Sequence, residues 1–138
     1  MTNVLFVVAG MVVALICGHT VQRVLNTRRQ FQLIAAAQPL GLRYVKEVIR
    51  EPELRWPFLK SQVSADPHVD EFLEGKIRDC PAVLLSVRLA TVVPEIQLLA
   101  ALRRNEGDDS WLVLSHPERL SPERLGEIWN DLKEASSR

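Results

Sequence analysis

An uninterrupted apolar segment near the start of the chain constrains its fold more than any other feature. No charged or strongly polar residue occurs from Val4 to Gly18, and the first charged side chain is that of Arg23. A helix over residues 2–22 would be about 30 Å long at about 1.5 Å per residue, which matches the hydrocarbon core of a bilayer. The segment therefore predicts a transmembrane anchor at residues 1–22.

Two kinds of cleaved export signal also contain such an apolar segment. A secretory signal peptide needs a basic region before the apolar run, and the opening residues Met-Thr-Asn supply none. A lipoprotein signal needs a small residue before the modified cysteine, whereas Ile16 precedes Cys17. The sequence favours a retained helix, and the lipoprotein reading with Cys17 stays as an alternative.

Basic residues follow the apolar segment and none precedes it. Arg23, Arg28 and Arg29 lie on the C-terminal flank. Because cytoplasmic flanks of membrane helices are rich in Lys and Arg, this asymmetry predicts an outside N-terminus and a cytoplasmic C-terminal domain, in a bacterial inner membrane. The same arginines are placed to meet anionic lipid headgroups.

Small residues recur within the segment at a spacing of four. Gly10, Ala14 and Gly18 therefore share one helix face and form a shallow groove. Helices pack closely where side chains are small, so we expect this face to contact another transmembrane helix, either a second copy or a different subunit. His19 follows the groove; the ordinary interpretation is an interfacial residue, and the alternative is a ligand to haem or chlorophyll.

The remainder predicts a helical stalk at residues 23–38 and a small soluble domain at residues 39–138. Apolar spacing indicates helices over 42–51, 66–80, 94–107 and 121–138, and strands over 82–93 and 110–115. Segment 96–104 also alternates as a strand would. We expect the two strands to pair in parallel through a crossover. The predicted fold class is thus a single N-terminal transmembrane helix with a helical stalk, followed by a small, helix-rich α+β domain.

Two aromatic residues flank Pro57. Trp56 and Phe58 in an exposed turn would make a good contact for a partner protein. Aromatic residues of a small domain more often belong to its core, so core packing is the favoured interpretation and partner contact the alternative.

Recognisable catalytic motifs are missing from the sequence. It has no phosphate-binding glycine loop, no Cys-x-x-Cys and no His-Glu-x-x-His. His68 stands between Asp66 and Asp70, but Asp66 suits a helix cap and no second histidine lies one turn away, so we expect no metal site. Only the fold could bring a cysteine or serine beside a histidine for nucleophilic chemistry, and the candidates are Cys80, Ser86, Ser115, His68 and His116.

Charge balance excludes one further class. Seventeen Lys and Arg residues balance seventeen Asp and Glu residues, whereas nucleic-acid-binding proteins usually carry a basic excess. We therefore expect an accessory, structural or assembly subunit that acts through contacts of its span and its cytoplasmic domain, with the bilayer and other transmembrane helices as partners. A haem- or chlorophyll-bearing subunit using His19, or a phage or virion membrane protein, is the alternative.

Overall fold

The computed structural model describes residues 2–63, 66–92, 95–104 and 110–138. The chain forms two compact units, Met1–Gln32 and Leu33–Arg138. The helices are α1 (Thr2–Ala37), α2 (Pro52–Arg55), α3 (Leu59–Gln62) and α4 (Pro122–Ser137). The strands are β1 (Arg43–Ile49), β2 (Pro67–Ile77), β3 (Cys80–Leu89), β4 (Glu95–Arg103) and β5 (Trp111–His116).

Helix α1 contains the apolar segment. Its length and composition suffice to cross a membrane, and none of its most apolar window is buried by the rest of the chain. Membrane anchors and N-terminal signal sequences both contain such a helix. Gly41 ends the helical run, because it adopts a left-handed conformation (φ 74°) and donates its N–H to the Gln38 carbonyl at 3.1 Å.

The second unit is built around one antiparallel sheet in the order β1-β2-β3-β4-β5. Each strand pairs with the next along the chain. The predictions of a helix-rich domain and of a parallel crossover were therefore wrong. Strands β3 and β5 and helix α4 lie where the sequence placed them, and Ser121 occupies the N-cap position of α4 without a side-chain hydrogen bond.

Both faces of the sheet are covered by apolar side chains. On one face, α4 and the last turn of α1 pack against the strands, forming a cluster that includes Leu33, Leu84 and Trp129. On the other face, Trp56 and Leu59 of the α2–α3 segment pack over the central strands. Burial on both faces makes the central strands nearly continuous apolar runs, which lack the alternation of a one-sided sheet.

Segment 66–80 was predicted as a helix and is strand β2 followed by a tight turn. A β-bulge between Val69 and Glu71 places Val69 and Phe72 on the same face, three residues apart. Leu73 and Ile77 are buried on the opposite face. The bulge and the two-sided burial together imitate a helical spacing, and the predicted role of Asp66 as a helix cap was also wrong.

Segments 42–51 and 94–107 were likewise predicted as helices and contain strands β1 and β4. In β1 a register irregularity between Lys46 and Ile49 disturbs the alternation, and Val48 within it is 76% exposed. In β4 the strand alternative was correct: Leu98, Leu99 and the residues beside them are buried on both faces. The predicted start and stop of that helix, Pro94 and Gly107, lie outside the described residues.

Gly75 is required by close packing between β2 and the end of the connection from α1. A Cβ atom at this position would lie 2.7 Å from Leu42 Cδ2 and 3.3 Å from the Gly41 carbonyl oxygen. We expect Gly75→Ala to lower the free energy of unfolding by about 1–2 kcal/mol, since Leu42 must leave its packed position. Urea denaturation followed by circular dichroism measures the loss; Gly126→Ala, at a position with open space, is the matched control. Equal stability of the two variants would contradict the close contact.

Candidate interaction surface

The groove on α1 is open along its length. Apart from the adjoining residues and the nearby backbone of α1 itself, no described atom lies within 4 Å of a Cβ built at Gly10 or Gly18, and Ala14 between them is exposed. Larger apolar side chains stand around the rest of the helix, among them Phe6 and Leu15, exposed by 75% and 74%. The described residues of the chain thus leave both the groove and the surrounding apolar surface uncovered.

Polar side chains at the C-terminal end of the apolar segment are partly satisfied within the helix. The Thr20 hydroxyl donates to the Ile16 carbonyl at 2.8 Å, and the Thr27 hydroxyl donates to the Arg23 carbonyl at 2.9 Å. A hydroxyl that is bonded to its own helix loses less on leaving water. These two hydroxyl groups therefore add little to the cost of placing this part of α1 in an apolar environment.

The histidine and the arginines at the C-terminal end of the apolar segment are at most half-buried. His19, Arg23 and Arg28 are exposed, and Arg29 is half-buried. Within residues 2–63, 66–92, 95–104 and 110–138, no group of three or more His, Cys, Asp and Glu side chains is placed to hold a metal ion. Nothing in the described geometry gives His19 a partner ligand.

Trp56 and Phe58 are both buried, at 5% and 8% exposure. Trp56 meets Phe72 edge-on with ring centroids 5.0 Å apart, and Phe58 lies 5.0 Å from Trp111. The Arg55 guanidinium stacks 5.1 Å from the Trp56 ring centroid. Their burial agrees with the favoured core interpretation and leaves little aromatic surface for a partner protein.

The serine, cysteine and histidine residues considered for nucleophilic chemistry are spread over the sheet. Cys80 begins β3, whereas His68 pairs with Arg88, eight residues further along the same strand, about 26 Å away at about 3.3 Å per residue. His116 lies opposite Leu98, which separates it from Ser86 on the next strand. The sheet therefore keeps Cys80 apart from His68 and Ser86 apart from His116.

A cleft of about 310 Å³ beside Cys80 contains three arginines, Arg78, Arg104 and Arg138. The Cys80 thiol donates to the Arg104 carbonyl at 3.8 Å. The cleft also includes Ser136, at the C-terminal end of α4, where the helix dipole is negative and basic side chains are stabilising. The arginines thus have a structural explanation as complements to the helix end.

Ion pairs on the outer surface of the sheet domain are exposed. Glu74 pairs with Arg43 and lies 3.9 Å from Arg55, and Arg124 pairs with Glu118 at 3.0 Å and with Glu127 at 2.8 Å. The hydrogen bond to Glu118 raises the pKa of Arg124 above its ordinary value. Exposed pairs of this kind contribute little to stability, and they form no acid–base constellation.

Strand β5 lies at one edge of the sheet. Trp111, Leu112, Val113 and Leu114 are all partly exposed, and the strand contains no Asp, Glu, Lys, Arg, Pro or Gly. Sequence reasoning missed this surface, because a strand becomes an edge only through the order of the whole sheet.

Compared with protein-family models, with curated proteins and with solved structures, the chain matches none.

Proposed function

We propose that this protein is a single-pass membrane-anchored accessory or assembly subunit, which acts through protein–protein contacts of its span and of its sheet domain. The observation that carries the proposal is the uncovered apolar surface of α1, of whose most apolar window none is buried. Monomeric soluble proteins rarely expose so large a contiguous apolar surface. Lipid and neighbouring helices would cover it.

The arginines that follow the span support one orientation. With Arg23, Arg28 and Arg29 on the cytoplasmic side, the N-terminus is outside and the sheet domain is inside, in a bacterial inner membrane. C-terminal fusions test this orientation. A fluorescent protein that folds in the cytoplasm should be bright, and alkaline phosphatase, active only outside, should be silent. The opposite pair of results, or release of a shortened chain, would overturn the retained anchor.

The small-residue face supports the interaction role. We expect Ala14→Leu to remove at least half of the transmembrane partners that co-purify with the tagged chain from mild detergent, because the added atoms fill the groove. Ala9→Leu is the matched control, since the same substitution lies about 140° around the helix at about 100° per residue. Native mass spectrometry and subunit stoichiometry measure the loss. Identical retention by both variants, or a chain that emerges alone, would contradict a role for this face.

A further inference from the structure

The two edges of the sheet differ in how they resist pairing with another strand. Edge strand β1 presents Arg43, Lys46 and Glu47 and has an irregular register after Lys46. Charges and bulges of this kind discourage edge-to-edge association. Edge strand β5 has no Asp, Glu, Lys or Arg, and its pairing with β4 runs without a shift. Only the β5 edge is therefore suited to continue the sheet.

The hydrogen-bonding direction of each β5 residue follows from its pairing with β4. Arg104 donates its backbone N–H to the Ser110 carbonyl at 3.2 Å, so these two residues form a hydrogen-bonded pair. Such pairs alternate along an antiparallel ladder. Residues Leu112, Leu114 and His116 therefore bond to β4. The N–H and C=O groups of the intervening residues point away from β4: Trp111, Val113 and Ser115.

We propose that β5 pairs antiparallel with β5 of a second copy of this chain, about a two-fold axis through Val113. In this register Val113 faces its own copy and Trp111 faces Ser115, so all three outward residues of each strand exchange two hydrogen bonds with their partners. Other registers that place outward residues opposite outward residues leave some of their N–H and C=O groups unpaired. The pairing also keeps like faces together, since residues opposite each other in a ladder share a face.

A second copy suits this edge better than a charged peptide would. The β5 side chains offer no Lys, Arg, Asp or Glu to recognise one. Helix α4 packs mainly against β4 and also borders β5, since its Asp131 and Glu134 line one cleft with Leu114 and His116. An uncharged strand such as β5 of a second copy brings no acidic side chain of its own to that cleft.

The inference rests on the proposed membrane-anchored interaction role. Pairing of six-residue strands buries less than the roughly 1,000 Å² typical of stable interfaces, so it needs help from a high local concentration. Anchoring in one membrane supplies that concentration, as a linker does between two modules. The contact is thus expected in the full-length chain in membranes.

Disulfide trapping tests the register. In a full-length background with Cys17→Ala and Cys80→Ser, the variant Val113→Cys should give a covalent dimer on mild oxidation. A hydrogen-bonded pair places the two Cα atoms about 5.5 Å apart, within disulfide range. Ser115→Cys is the register control, because its own copy is displaced by four residues, about 13 Å along the strand, and it should stay at least fivefold less cross-linked.

A proline at an outward N–H tests the hydrogen bonds. Ser115→Pro removes a donor that does not bond to β4, so the ladder within the chain is kept. It should lower cross-linking through Cys at position 113 at least fivefold, whereas Ser115→Ala should not. Equal cross-linking at positions 113 and 115, or a cross-link to a protein of another mass, would overturn the proposal. Membrane fractionation of the same samples separates this failure from failure of the anchor: a cross-linked but soluble chain contradicts the proposed function alone.

Discussion

Replacing Trp129 with alanine is expected to lower the free energy of unfolding of the sheet domain by about 3–5 kcal/mol. Trp129 is the largest side chain among those that are fully buried, with 1% of its surface exposed, and it joins α4 to the sheet. Small domains have only about 5–15 kcal/mol of stability in total, so the variant should lose most of its folded population on mild heating. Urea denaturation of the full chain in detergent, followed by circular dichroism, measures the loss.

The phenylalanine variant separates packing from polarity at the same position. The indole Nε1 of Trp129 is buried without a hydrogen-bond partner among the described residues, and a buried unpaired donor is costly. Trp129→Phe removes that donor and keeps much of the apolar area, so it should cost only about 1–2 kcal/mol. Leu54→Ala, at a position 72% exposed, controls for nonspecific effects. A Trp129→Ala loss no larger than that of Leu54→Ala would show that α4 is not part of the core.

The elements predicted correctly are those in which one physical cause controls the sequence pattern. Uniform apolarity identifies α1 as a long helix. In α4, Ser121 and Pro122 mark the start, and the buried residues Leu125, Ile128 and Trp129 follow helical spacing because only one face of the helix meets the sheet. Strand β3 was recognised from its β-branched residues.

The strands that were predicted as helices are those whose sequence pattern reflects more than one physical cause. In β2 the bulge and the burial of both faces give Val69, Phe72 and Leu73 the spacing of a helix. The turn after β2 adds to the difficulty, since Arg78 and Asp79 both have positive φ, 50° and 67°, yet the sequence lacks the Asn-Gly signature typical of such a turn. Leu- and Ala-rich β4 has high intrinsic helix propensity, which tertiary packing overrides.

Of the two candidate interaction surfaces, only the one defined by local spacing could be predicted from the sequence. The groove of Gly10, Ala14 and Gly18 could be predicted because helix spacing alone defines a face. The β5 edge could not, because it depends on four earlier strand pairings and on the direction of each N–H group. A local pattern can specify that Trp111–His116 is a strand, but only the sheet order determines which side of that strand is left unpaired.

A charge in the middle of the proposed span should sharply reduce membrane retention. Val12 lies near the centre of the uncharged segment and is 48% exposed on α1. An arginine at the centre of a transmembrane helix costs about 2.5–3.5 kcal/mol, so Val12→Arg should reduce the insertion equilibrium about 100-fold. Extraction of membranes at alkaline pH, followed by detection of the tagged C-terminus, measures the fraction that stays inserted.

In a transmembrane helix, the position of an added charge affects membrane retention more than its presence does. This dependence distinguishes a transmembrane helix from an apolar helix that only adsorbs to the membrane surface. Val24→Arg adds the same side chain between Arg23 and the later arginines, on the flank proposed to be cytoplasmic. Because basic residues there favour the proposed orientation, this control should remain inserted like the parent chain. If both variants are released equally, α1 binds membranes by surface adsorption. If neither variant is released, contacts with other proteins hold the apolar segment, and it does not lie in the hydrocarbon of the bilayer.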